Sequence, residues 1–162
     1  MSFEARREEY RQNTELFLSF VTTLSDEIID YQFENEWTPR QILHHMADSE
    51  MQSAIRLRRL IAEEPGTVIQ GYDEVVWAEN EILGYRTSDW RPAIALIVAV
   101  RASSFEVLAR LTEQDLTRSG IHTESGVYSL DTWLDIYVRH PLEHAAQIKK
   151  IFEKLIDPRS EQ

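Results

Sequence analysis

Residues 129–155 read SLDTWLDIYVRHPLEHAAQIKKIFEKL, and the period of this stretch decides the fold. Trp133, Tyr137, His140, His144, Ile148, Ile151 and Leu155 recur at steps of three and four, the spacing that lines up side chains on one face of an α-helix. Ser129 stands where the N-cap of that helix belongs. Further toward the N-terminus the same period returns. Phe3, Tyr10, Thr14, Phe17, Val21, Leu24 and Ile28 predict a first helix over about residues 3–25. Thr38-Pro39-Arg40-Gln41 supplies an N-cap, a proline at the first helical position and a glutamine able to close a capping box, so a second helix starts there and runs to about Glu64, before Pro65-Gly66. Trp90, Ile94, Ile97, Phe105 and Leu108 mark a third long helix, and 72–83 reads as a short helix within a crossover. Strand signals are almost absent. Four long helices with apolar stripes must bury them against one another, which predicts an all-α four-helix bundle. The joins at 65–87 and 112–128 are long enough for crossover connections.

Composition narrows the function. A chain of 162 residues fits one domain, expected here to span 1–162, and is large enough to fold without staples. It has no cysteine, so any metal must be held by His, Asp or Glu. With 17 Lys and Arg against 28 Asp and Glu, the formal charge of -11 has the wrong sign for a phosphate backbone, and nucleic acid is not an expected partner. The longest apolar run, AIALIVAV at 93–100, is far short of the roughly 18 residues a membrane span needs. The charged start, MSFEARREEYRQ, lacks the apolar core of a signal peptide. A soluble cytoplasmic protein is the expectation.

The fourth helix places two imidazoles where leucines belong. His140 and His144 lie one turn apart on the inward stripe, roughly 5 to 6 Å between β-carbons, so both rings can reach one ion. The alternative is a pair of buried neutral histidines, each bonded to a carbonyl or carboxylate. In WTPRQILHHMADSE of the second helix, His45 falls on the inward side next to Met46, while His44 is turned about 100° away. A third imidazole can therefore enter the same core from a facing helix.

These two stretches, WTPRQILHHMADSE and, about ninety-five residues on, HPLEHAAQI, resemble the DinB-like superfamily with its YfiT-like metal-dependent members. The resemblance covers nearly the whole chain. It implies a four-helix bundle with a three-histidine metal site, which by position is His45, His140 and His144. It further implies nickel or zinc, a homodimer, and transfer of a low-molecular-weight thiol such as bacillithiol, mycothiol or glutathione, or a related hydrolysis. A non-catalytic metal-binding or interaction protein of the same fold is the alternative. Where such sequences commonly carry aspartate after the first histidine of the last motif, this chain has Pro141, predicted to kink the helix and free the Tyr137 carbonyl.

Three neutral imidazoles leave an ion's charge uncompensated and its remaining positions open, which suits activation of a water or thiol. Around them, Asp48 is a candidate to orient His45, and Glu50 and Glu143 are candidates for acid, base or ligand support, against the plainer reading of all three as solvated carboxylates. Arg101, near the stripe of the third helix, is a candidate for a substrate carboxylate, although such side chains commonly snorkel outward. His122, in SGIHTESGVY, reads as a surface loop residue, and Trp37, Trp77, Trp90 and Trp133 as core fillers.

Overall fold

The computed structural model describes residues 1–156. The expected domain span reaches six residues further, to 162, and 157–162 lie outside the described residues. Four long helices carry the fold: α1 (Phe3–Val21), α3 (Pro39–Ala62), α5 (Arg91–Leu108) and α6 (Leu130–Ile156), with the short helices α2 (Asp26–Ile29) and α4 (Glu74–Glu79) between them. Helix α6 packs against α1 and α3, and α5 packs against the same two, so the ring order is α1, α6, α3, α5.

The ends of the helices follow from their sequence. Thr38 accepts from the Gln41 backbone N–H while the Gln41 side chain accepts from the Thr38 N–H, the expected capping box, with Pro39 in the first turn. Ser129 Oγ accepts from Thr132 N at 3.0 Å and caps α6. Helix α1 stops at Val21, four residues short of the expected end. There Thr22 and Thr23 turn their hydroxyls onto the carbonyls of Ser19 and Phe20, offering the chain an alternative to continued helix. Leu24 still reaches the core from the turn.

The long joins hold a small sheet that periodicity did not reveal. Strand β1 (Val68–Ile69) of the first crossover runs parallel to β2 (Ser119–His122), which pairs antiparallel with β3 (Gly126–Ser129). Gly126, at φ +79°, closes the β2–β3 hairpin in a conformation other residues resist. Gly120 lets the strands approach, since a Cβ there would meet the Thr67 carbonyl at 2.5 Å. The sheet fastens the 65–87 crossover to the segment before α6, and this decides what lies over the middle of the bundle.

The core is two apolar clusters. One joins Phe17, Ile42, Met46, Ile97 and Ile148; the other joins Tyr10, Leu57, Leu108, Trp133 and Leu134. Between them lie buried polar side chains, among them Asn13, His45, Ser49, Glu50, Arg101 and His140.

Candidate metal centre

Two helices bring the imidazoles together. From α6, His140 and His144 meet edge to face with ring centroids 4.6 Å apart, and His45 of α3 faces them edge-on at 6.0 and 4.9 Å. Each ring offers one nitrogen, and the three nitrogens all lie within 4.8 Å of one another. The tautomers of the α6 pair are set by their neighbours. His140 Nδ1 lies 3.3 Å from Glu50 Oε1, and His144 Nδ1 lies 3.0 Å from Gln147 Oε1. An acceptor at each Nδ1 puts the ring proton there. The two Nε2 atoms, 3.1 Å apart, then face each other as lone pairs. Such a pair is repulsive on its own and complementary to a cation; two nitrogens each about 2.1 Å from one ion are compatible with this separation. His45 Nδ1 is buried without a partner, while its Nε2 is 3.6 Å from Glu74 Oε2. The donor set fits a divalent ion.

Burial and the neighbouring imidazoles keep His45 and His144 unprotonated. Desolvation first, then the neighbouring His144 and His140, push His45 down to about 3. Desolvation and His140 push His144 down to about 4, against opposing effects of Gln147 and Glu50.

Glu50 is fully buried and does not behave as a solvated carboxylate. Its Oε1 accepts from Arg101 Nη1 at 2.6 Å as well as facing His140, and the attraction of Arg101 and His140 outweighs desolvation to hold its carboxyl below the usual range. Arg101 does not snorkel: it is 1% exposed, donates to Thr14 Oγ1 at 2.6 Å, and lies 3.9 Å over the Tyr10 ring. Its Nη2 donates to the Tyr137 carbonyl at 3.0 Å. That is the carbonyl Pro141 deprives of its helical donor, so the arginine takes up the freed acceptor, and α6 runs continuously from Leu130 to Ile156. Arg101 is thus committed within the core rather than to a substrate carboxylate.

The other candidates fall elsewhere. Asp48 accepts from the Tyr85 hydroxyl at 2.6 Å and does not hold His45. Glu143 is exposed on the outer face of α6, facing Arg139 at 4.0 Å. Tyr137 is buried with its ring edge against His140, and its hydroxyl accepts from Arg56. His44 is off the site, its Nε2 3.3 Å from the Ser88 carbonyl. His122 is buried, not a surface residue: its Nδ1 accepts from the Glu124 and Ser125 amides and closes the hairpin. Trp90 and Trp133 fill the core, whereas the Trp37 ring lies tilted 5.2 Å from that of His45 and lines an open cleft of about 480 Å³ with Glu36, Glu74, His144 and Gln147. Gln147 had a signal in the sequence, three residues after His144 on the same face. Glu74 had none, because it arrives from the crossover.

A family model for the DinB superfamily matches residues 9–148. The chain belongs to the DinB superfamily. Two relatives are each named "Putative metal-dependent hydrolase". One, from Oceanobacillus iheyensis, is 34% identical to this superfamily member over 140 residues, 86% of this chain and 79% of that protein. The other, YfiT of Bacillus subtilis, is 31% identical over 137 residues, 83% and 75% of the two chains. The solved structure of YfiT, described as "a probable metal-dependent hydrolase with an unusual four-helix bundle topology", matches with a TM-score of 0.83 and 27% identity over 94% of this chain and 87% of that one. TT2238, a four-helix bundle protein, shares the fold at a TM-score of 0.64 and 18% identity, covering 92% and 99%. This DinB-superfamily chain is therefore a four-helix bundle with relatives named for metal-dependent hydrolysis and a histidine triad able to hold a metal ion.

Proposed function

We propose that His45, His140 and His144 hold one divalent transition metal, nickel or zinc, and that the site belongs to an enzyme acting on a small molecule, by hydrolysis or by transfer of a low-molecular-weight thiol. The observation that carries this reading is the approach of the His140 and His144 Nε2 atoms to 3.1 Å, with each Nδ1 directed at an acceptor. An imidazole-only donor set suits zinc or nickel. A divalent ion on three neutral imidazoles supplies Lewis acidity that lets a thiol or water lose its proton near neutral pH. The chain does the rest. Glu50 and Gln147 fix the rings, and Trp37 walls one side of the cleft. Glu74 faces His45 across the cleft with no Lys or Arg partner among the described residues, placed to take the proton from the nucleophile. The open cleft favours this enzyme over a non-catalytic metal protein, which would be served by a sealed site.

The same reading takes 1–162 as one domain and the protein as a cytoplasmic homodimer. In support, no helix among the described residues is long and apolar enough to cross a membrane, and Met51 and Ile55 of α3 with Val98 of α5 leave apolar surface for a second copy. Elemental analysis of protein purified from metal-replete medium should find about one nickel or zinc per chain. That metalloprotein is then screened for ester and amide hydrolysis and for thiol S-transfer. A protein free of metal, or turnover indifferent to chelation, would sink the reading, and a monomer by sedimentation at high concentration would remove the dimer.

A further inference from the structure

Beyond the triad, the most unusual group in the molecule is Arg56. It lies on the stripe of α3 that carries His45, Ser49 and Ser53, one helical turn after another. Its hydrogen bonds go to neutral groups: Nη1 donates to the Tyr137 hydroxyl at 3.3 Å, and Nη2 to the Gln70 carbonyl at 2.9 Å. A guanidinium has five N–H donors, so most are left over. Among them is Nε–H, which is buried and has no acceptor. No carboxylate pairs with Arg56 among the described residues, although the chain carries a formal charge of -11. A half-buried cation without a counter-ion costs free energy that an anion would recover.

The surroundings of Arg56 are built to meet a polar ligand. Tyr128, only 4% exposed, turns its buried hydroxyl toward the Arg56 guanidinium. The Tyr72 ring sits 6.0 Å from the guanidinium. Ser49 interacts with the hydroxyls of both Tyr72 and Tyr137 and places its own Oγ 3.5 Å from His140 Nε2. A run of polar side chains therefore leads from the ring nitrogens of the triad, past Ser49 and the tyrosines, to Arg56. Arg56 follows Ser49 by seven residues, about 10 Å along the helix, and its side chain leans back toward the N-terminus, leaving a span of roughly 8 Å between guanidinium and triad.

We propose that Arg56, with the Tyr128 and Tyr137 hydroxyls, is a subsite for a carboxylate of the substrate whose reacting group sits at the histidine triad. The substrate class is then a small acid in which thiol or scissile bond and carboxylate are about six bonds apart. Charge-assisted bonds to a planar guanidinium hold the far end and set the register of the near end. The subsite rests on the metal-site reading for its purpose, but not for its ability to bind a carboxylate.

The test compares 6-mercaptohexanoate with 6-mercaptohexan-1-ol, ligands of equal length that differ in the carboxylate. Binding is measured calorimetrically on metal-free protein and by the visible spectrum of cobalt-loaded protein. The acid should bind about tenfold or more tightly than the alcohol in both forms. Arg56→Gln should abolish the difference, and Arg56→Lys should retain part of it, with helical circular dichroism unchanged in each. If cobalt fails to load while the acid still outbinds the alcohol through Arg56, the subsite stands and the metal reading falls. If cobalt loads and both thiols perturb its spectrum at equal concentrations in wild type and Arg56→Gln, the subsite is wrong and the metal reading stands.

Discussion

His144 uses its two ring nitrogens for different tasks, Nδ1 toward Gln147 and Nε2 toward His140, and the second is available only because the first is directed. Replacing His45, His140 or His144 by alanine should therefore take bound metal to background in elemental analysis. Helical circular dichroism should survive, because the apolar clusters on either side are untouched. His44→Ala should leave metal content at the wild-type level, since that ring faces the Ser88 carbonyl. Gln147→Leu removes only the acceptor at Nδ1, so metal should still bind, with affinity weakened about 10- to 100-fold in a competition titration with a chromogenic chelator. Equal affinity in Gln147→Leu and wild type would show that the glutamine does not set the tautomer.

Helix α6 contains an interior proline and yet is continuous, which follows from what the neighbouring helix supplies. The Tyr137 carbonyl, orphaned by Pro141, accepts from Arg101, and Arg101 is in turn neutralised by Glu50, the carboxylate that holds His140. Pro141→Ala should accordingly gain less than about 1 kcal/mol in urea unfolding, where an interior proline otherwise costs about 3 kcal/mol. Arg101→Met strands a fully buried carboxylate and should cost about 3–5 kcal/mol, most of it returned in the Arg101→Met, Glu50→Met double variant. The four stripes and the three imidazoles were legible in the sequence, because a 3.6-residue period states which side chains share a face. The pairing of Arg101 with Glu50 was not: spacing puts a polar residue near the apolar stripe but does not say whether a partner waits inside. Glu74 and Tyr72 were hidden for another reason. They reach the middle of the bundle only because β1, two residues long, pairs with a strand some fifty residues later. No local period encodes that contact.

Taken whole, the bundle is a polar layer between two apolar clusters, and this arrangement separates folding from metal binding. Phe17, Ile42, Ile97 and Ile148 pack one end, and Leu57, Leu108, Trp133 and Leu134 the other, without any contribution from the triad nitrogens. Within the polar layer Arg101 pairs with Glu50 and Asn13 donates to the Val138 carbonyl at 2.8 Å, while His45 Nδ1 is buried without a partner. What an ion would add is relief of the facing lone pairs on α6 and a tie from them to His45 on α3. Its contribution is that of a ligand binding the native state, about 2.7 kcal/mol when free metal stands a hundredfold above Kd. For a chain of this size, chelation by EDTA should lower Tm by about 5–10 °C, with the transition still cooperative and the far-ultraviolet circular dichroism at 25 °C unchanged. Re-addition of the metal should restore the original Tm. Loss of helical signal on chelation at 25 °C would mean that the metal is part of the folding core, and that the two apolar clusters cannot hold the bundle alone.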